Sequence, residues 1–200
     1  MEIITGLVLA TAAGLNAYIP LLGLGLLAKF SNLINLPDGW SWLTSSPMLV
    51  ILVILLIIEL FVDKIPLIDS LNDVLQTVIR PASGGLVFAA GIGSETVAVQ
   101  DPATLFSSKA WVPIVLGVVI ALIPHIIKVI SRPLLNTLTG GTGAPVASTI
   151  EDAGAVFLTF FAIIAPIVAL FLVALFLVFL IRRIKKARLR KERAGLFESS

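Results

Sequence analysis

Glu59 is the residue whose position is hardest to explain as packing. The apolar run ahead of it, Met48 to Ile58, has 11 residues. As helix it rises only about 16 Å, roughly half of a hydrocarbon core of about 30 Å. A spanning helix must therefore continue through Glu59 and reach Asp63 and Lys64. An ionised, unpaired carboxylate at that depth is costly. Glu59 is thus expected to be either protonated or paired with a cation such as Arg80 or His125, and both states suit proton or cation handling. Asp63 follows one helical turn later on the same face, and Asp69 and Asp73 repeat the spacing beyond Pro66. For Asp63, Lys64, Asp69 and Asp73 the expected setting is a solvated interfacial helix. Asp63 is also a candidate ion ligand through its spacing from Glu59.

His125 is the only histidine, and Lys128 and Arg132 lie one and two turns beyond it. An imidazole changes charge near neutral pH and could relay protons, although a lone His near a helix end commonly serves as a satisfied interfacial residue. Asn16 and Tyr18 put an amide and a phenol into the first apolar run, where small and polar residues also glue helices together. Glu151 and Asp152 follow Gly140-Gly141-Thr142-Gly143-Ala144-Pro145, a stretch that cannot remain regular helix. Thr137 to Ser148 is expected to be broken backbone buried among helices, with a helix starting near Ser148. Its N-terminal N–H groups would suit an anion or polar solute, while the two acids favour a cation or simple capping. No HExxH motif and no P-loop ending is present. The carboxylates define no metal geometry, so metal binding stays open, and no cofactor is expected.

The elements that must position these groups are membrane helices. The chain is 58% hydrophobic with a mean hydropathy of +1.08 and only 13% charged residues, against about a quarter charged in soluble domains. Ala153 to Ile181 carries no charge at all and is long enough to cross with tilt. The expected fold is all-α: a polytopic integral membrane helical bundle of about five or six membrane-associated helices with interrupted or re-entrant segments. The runs read as Ile3–Phe30, Pro47–Ile58 with an amphipathic continuation over Glu59–Arg80 broken at Pro66, Ala82–Ala98, Ala110–Ile130, and the last long helix. Asn32 to Ser46 reads as an interfacial loop with Trp40 and Trp42 as belt aromatics. A polar loop is expected around Asp101. Glu2 stands where a secretory signal would carry Lys or Arg, so the first run is expected to persist. Cysteine is absent, which excludes disulfides and thiolate sites.

Residues 1–181 thus read as a multi-helix membrane domain and 182–200 as a basic cytoplasmic tail. Eight of the 14 Lys and Arg residues fall in Arg182 to Arg193. That density reads as a positive-inside signal, implying a multi-pass protein of the inner (plasma) membrane with its C-terminus in the cytoplasm. The partners expected are the lipid bilayer, anionic lipid headgroups at the tail and a small ion or solute. Homo-oligomerisation is compatible with the sequence, and no nucleic acid is expected. Thr77-Val78-Ile79-Arg80-Pro81 is echoed by Lys128-Val129-Ile130-Ser131-Arg132-Pro133. The echo fits either an internal repeat of the transporter kind or two ordinary helix ends.

Four motifs together resemble one family of small bacterial membrane proteins, the domain-of-unknown-function family four-one-two-six. They are Ala13-Gly14-Leu15-Asn16-Ala17-Tyr18-Ile19-Pro20-Leu21-Leu22, Glu59-x-x-x-Asp63-Lys64-Ile65-Pro66-x-x-Asp69, Arg80-Pro81-Ala82-Ser83-Gly84, and Gly143-Ala144-Pro145-Val146-Ala147-Ser148-Thr149-x-Glu151-Asp152. The resemblance covers the membrane part and ends at the basic tail. It implies a multi-pass bacterial membrane protein and assigns no activity.

The functional reading that follows from the residues is a small transporter or channel for an ion or small polar solute, working at interrupted helices near an intramembrane carboxylate. The candidate ion or substrate ligands are Glu59, Asp63, Arg80, His125, Asn16, Glu151 and Asp152. The alternatives are an intramembrane enzyme acting on a lipid-like substrate, for which no nucleophile–base pair can be read, and a non-catalytic membrane scaffold.

Overall fold

Proline and glycine set most of the helix ends. In the computed structural model, helix α1 (Glu2–Leu15) gives way to α2 (Tyr18–Phe30), and a short 3-10 helix (Asp38–Thr44) leads into α3 (Ser46–Val62). The long helices α4 (Pro66–Gly91), α5 (Trp111–Thr139) and α6 (Gly143–Ile164) follow, and a further apolar helix, α7, covers Pro166–Phe179. The structure describes residues 2–31, 33–36, 38–92, 111–175, 177–179, 182 and 185, without the side chains of 66, 67 and 69–71. Most of the basic tail, the region around Asp101 and the end of the Ala82–Ala98 run lie outside the described residues.

A residue before proline is pushed out of the helical region. Ile65 is accordingly extended (φ −105°, ψ 107°) and α4 starts at Pro66. Ala165 (φ −145°, ψ 67°) ends α6 before Pro166, so the uncharged run after Ala153 is two helices rather than one. Arg80-Pro81 and Arg132-Pro133 behave otherwise. Both sit inside helices, so α4 runs without a stop from the acidic segment into the Gly-containing one that the sequence reading had separated from it.

The helices carry their apolar side chains outward. On α3, Ile54, Ile58 and Phe61 are exposed (51, 52 and 69%) while Glu59 is 2% exposed, the inverse of a soluble amphipathic helix. On α5 the inward stripe is Gly117, Ala121, His125, Lys128 and Arg132, and on α6 it includes Ala144, Ser148, Ala155 and Thr159. Such a molecule presents its apolar surface to lipid. By length and composition α5 and α6 can each cross a membrane, and the 3-10 helix with α3, bent by 59°, makes a third candidate. Helices α1 and α2 have 14 and 13 residues, too few to span singly, since a crossing takes about 20.

Helix α1 is the hub, packed against α4, α5 and α6, and the α4–α5 pair is the most extensive of all. Glycine permits the approach. A Cβ on Gly84 would stand 2.3 Å from Ala121 Cβ, and one on Gly14 would stand 2.3 Å from the Ala121 carbonyl oxygen. Small residues at helix contacts allow this close packing where lipid supplies no hydrophobic drive between helices. Leu9, Leu21, Leu24, Trp40, Leu43, Leu52 and Val87 belong to one buried apolar core. Trp40 is fully buried and so is not a belt aromatic. A Cβ on Gly25 would stand 2.6 Å from the Leu43 carbonyl oxygen, so the bare glycine lets the 3-10 segment tuck against α2.

The Gly-rich stretch before α6 also departs from expectation. Only Gly140 to Thr142 leave the helical path, with left-handed φ of 59° at Gly140 and 89° at Gly141. Gly140 is exposed, with no neighbour where its Cβ would point. Gly143 to Pro145 already belong to the helix. The segment is a tight hairpin turn of two left-handed glycines, not broken backbone buried among helices.

Candidate functional site

Four helices and one turn direct charged side chains into the space beside the glycine node. Glu59, on the last turn of α3, and Asp63, which caps that helix, point the same way. Asp73, Gln76, Arg80 and Ser83 form the buried polar face of α4. His125, Lys128 and Arg132 come from α5, and Glu151 and Asp152 lie two turns inside α6.

Arg80 joins the first two acids. Its Nη2 donates to Glu59 Oε1 at 2.8 Å and to Asp63 Oδ2 at 3.2 Å, with the Arg80 side chain wholly buried. Asp63 also accepts from Lys128 Nζ at Oδ2 and from Asn72 Nδ2 at Oδ1, the latter at 2.9 Å. Asp63 is therefore not in a solvated interfacial helix as expected, and neither is Asp73, which is 6% exposed. The reason is geometric: the α3–α4 turn folds both acids under Lys128 of α5. Of the four, Lys64 is exposed, and the Asp69 side chain lies outside the described residues.

The second half of the network lies on α5 and α6. Arg132 donates to Glu151 Oε2 at 2.6 Å and to the Ala144 carbonyl at 3.0 Å. Lys128 Nζ lies 3.4 Å from Glu151 Oε2, which connects the two halves. The two arginines of the Arg-Pro echo thus do the same work, each buried mid-helix against a glutamate.

Asn16 occupies the α1–α2 break and is fully buried. Its Oδ1 accepts from the N–H groups of Tyr18 and Ile19 at 3.1 and 3.2 Å, which caps the start of α2. Its Nδ2 donates to Asp152 Oδ1 at 3.0 Å, and Asp152 Oδ2 lies 3.9 Å from Lys64 Nζ. Ser83 Oγ donates to the Ala17 carbonyl, so two side chains satisfy backbone that the break frees. Of the interruptions read from the sequence, this one is buried and touches the network.

His125 is not paired with Glu59. Its Nε2 lies 3.0 Å from Thr77 Oγ1, and the Thr77 hydroxyl donates to the Asp73 carbonyl at 2.7 Å. One hydroxyl has one proton, so it accepts from an imidazole Nε2–H. Lys128, Arg132 and Asp73 belong to the network, yet the sequence reading did not choose them as ligands. The signal was there: Gly117, Ala121, His125, Lys128 and Arg132 follow one helical stripe opposite Val119, Ile123, Ile126 and Ile130.

Among the described residues, five buried or half-buried carboxylates (Glu59, Asp63, Asp73, Glu151, Asp152) face four cations (Lys64, Arg80, Lys128, Arg132). That leaves one formal negative charge in excess. Glu59 Oε2, Gln76 Oε1, Asp73 Oδ1, and Nε and Nη1 of Arg80 are buried without a hydrogen-bond partner. Buried polar atoms of this kind call for bound water, a proton or an ion. No group of three or more His, Asp or Glu is placed to hold a metal ion among the described residues.

Outward apolar helices closed around an inward charge network define a helical membrane protein with a polar interior. The chain belongs to the domain of unknown function (DUF4126) family, whose model matches residues 3–186. No curated protein and no solved structure matches it.

Proposed function

We propose that the chain is a small multi-pass transporter that carries protons or a small cation through the network around Glu59 and Arg80. The observation that supports this most is Glu59 itself: buried, held by Arg80 through one oxygen, and with Oε2 unpartnered. Burying charge in an apolar surround is expensive, and a hydrophobic replacement of the same volume is often more stable. A network of nine ionisable groups with unfilled hydrogen-bond positions is therefore better suited to carrying charge than to holding helices together. In this reading α4 crosses with α3, α5 and α6, its ionisable residues turned inward, and α1 with α2 forms an interrupted crossing. The site in the inner membrane is reached from both faces in turn.

The deciding measurement is flux in liposomes for wild type and Glu59→Gln between about pH 5 and about pH 8, where a perturbed carboxyl or imidazole would titrate. Folded, inserted Glu59→Gln is expected to lose pH-dependent flux. Equal flux in both proteins at equal reconstitution removes Glu59 from the mechanism, and no flux in either removes the transport reading. The Arg182–Arg193 tail faces the cytoplasm in the same reading. A C-terminal reporter active only in the periplasm should be silent, and strong activity would invert the topology.

A further inference from the structure

The unpartnered atoms around Glu59 and Arg80 form a row. Asp73 Oδ1, Gln76 Oε1, Nε and Nη1 of Arg80, and Glu59 Oε2 are each buried without a hydrogen-bond partner. Asp73, Gln76 and Arg80 stand at i, i+3 and i+7 of α4 and so share one helix face. Along the helix axis, Asp73 to Gln76 is a step of about 4.5 Å and Gln76 to Arg80 one of about 6 Å. Glu59 continues the row, since its Oε1 accepts from Arg80 Nη2 at 2.8 Å. The charged groups beside the row leave these atoms unmatched. Lys128 of α5 donates to Asp63, at the end of α3, and its Nζ stands 4.0 Å from Asp73 Oδ1, beyond a hydrogen bond.

Three of these five atoms are acceptors and two are donors. Only a species that both donates and accepts can satisfy such a set. Water does so, whereas a bare metal cation takes acceptors alone. A buried water makes about three hydrogen bonds, so about two waters match the five positions. One water joins groups about 5.5 Å apart through two hydrogen bonds, which is the size of each step. The row also has an outlet, because Asp73 and Thr77 line a crevice of about 140 Å³ between α4 and α5. Gln76, in the middle, is the one neutral member, and it is 2% exposed.

We propose that this face of α4 holds a file of internal water that carries protons between Asp73, at the crevice, and Glu59, with Gln76 as the residue that positions the middle of the file. A protonated Asp73 gives its proton to the adjacent water. That water passes one of its own protons on past Gln76, and Glu59 Oε2 receives it. Asp73 ends as a carboxylate, Glu59 as a carboxylic acid and the water as it began, so the net change is one proton moved. Arg80 keeps its charge throughout, since a guanidinium is not deprotonated in proteins. The inference rests on the transport reading for its use and narrows the cargo to protons.

Water at Gln76 can be read without any flux. Magnetisation transfer from water protons to the Gln76 side-chain amide is measured by NMR on wild type in bilayers. The chain has two glutamines, Gln76 and Gln100, and Gln76→Ala identifies the signal by its loss. Rapid transfer is expected in spite of the burial, and its absence overturns the proposal. Proton flux into liposomes under a pH gradient then tests the route. Gln76→Leu plugs the row with methyl groups and is expected to lower flux at least about tenfold. Gln76→Ala makes room for another water in a polar site and should stay within about threefold of wild type. A packing role for Gln76 predicts the opposite order, because leucine fills the space and alanine leaves a cavity. That order, or equal flux in all three proteins, overturns the proposal. If Gln76→Leu does not fold, a tenfold loss in Gln76→Ala does the same. Transfer to Gln76 with no flux in any protein would remove the transport reading and leave the water, whereas proton flux without transfer would do the reverse.

Discussion

Arg80 and Glu59 meet at 2.8 Å with 0 and 1% of their side chains exposed, and the same Nη2 reaches Asp63 at 3.2 Å. One guanidinium nitrogen thus ties the end of α3 to the middle of α4. Because the pair is buried, its two halves are unequal to lose together and to lose singly. Truncating one partner strands the other charge, whereas neutralising both removes the cost of burying either.

Arg80→Met is therefore expected to destabilise the protein by about 3–5 kcal/mol. Adding Glu59→Gln should restore at least about half of that loss, because the stranded glutamate is then neutral. Equilibrium unfolding in detergent reads both values. A single variant costing less than about 1 kcal/mol would place the pair in water and remove the buried network.

The glycines make a prediction about shape. A Cβ on Gly84 would stand 2.3 Å from Ala121 Cβ and 2.8 Å from the Gly117 carbonyl oxygen, so the α4–α5 interface must open to accept it. Gly140 has the opposite problem: open space, but φ at +59°. Gly140→Ala is expected to cost about 1–2 kcal/mol of left-handed strain. Gly84→Ala should cost more, up to about 3 kcal/mol of overpacking, and Gly84→Leu should prevent folding. Thermal unfolding of the three variants gives the order. A Gly84→Ala protein as stable as wild type would mean that these helices do not touch there.

How much of this was legible depended on whether a residue broke a rule. Glu59 was conspicuous because the apolar run ahead of it is too short to span, and Arg80 was a natural counter-ion for it. Asn16 stood out as an amide inside an apolar run, and it does lie at a helix break. Asp63 was singled out only through its spacing from Glu59, and Asp73 broke no rule, because a string of acids beside a proline is what a solvated helix looks like. Only the fold of the α3–α4 turn puts them under Lys128. The Gly140–Pro145 stretch misled in the other direction. Glycine composition reports freedom of φ, and that freedom was used for an exposed turn of three residues, Gly140 to Thr142. Which helices pack through Gly14, Gly84 and Gly117 is a three-dimensional fact with no local signature.

His125 carries the sharpest remaining test. Its imidazole suggested a cationic partner for Glu59, but the ring reaches Thr77 instead. Since the Thr77 hydroxyl spends its proton on the Asp73 carbonyl, the imidazole must supply the other one from Nε2, leaving Nδ1 buried and without a partner. The chain has a single histidine, so its ring nitrogens can be read without assignment. Nitrogen-15 spectra near neutral pH are expected to show the neutral ring with the proton on Nε2. Glutamine places an amide nitrogen where Nε2 stands and can donate to Thr77 in the same way. Asparagine is too short to do so and matches Nδ1 instead. His125→Gln should accordingly fold with a loss of less than about 1 kcal/mol, within the net worth of one buried hydrogen bond, and His125→Asn should lose about 1–3 kcal/mol, the cost of leaving buried polar groups unpaired. A proton found on Nδ1, or equal stability of the two variants, would refute the Thr77 contact and reopen a direct role for the ring beside Glu59.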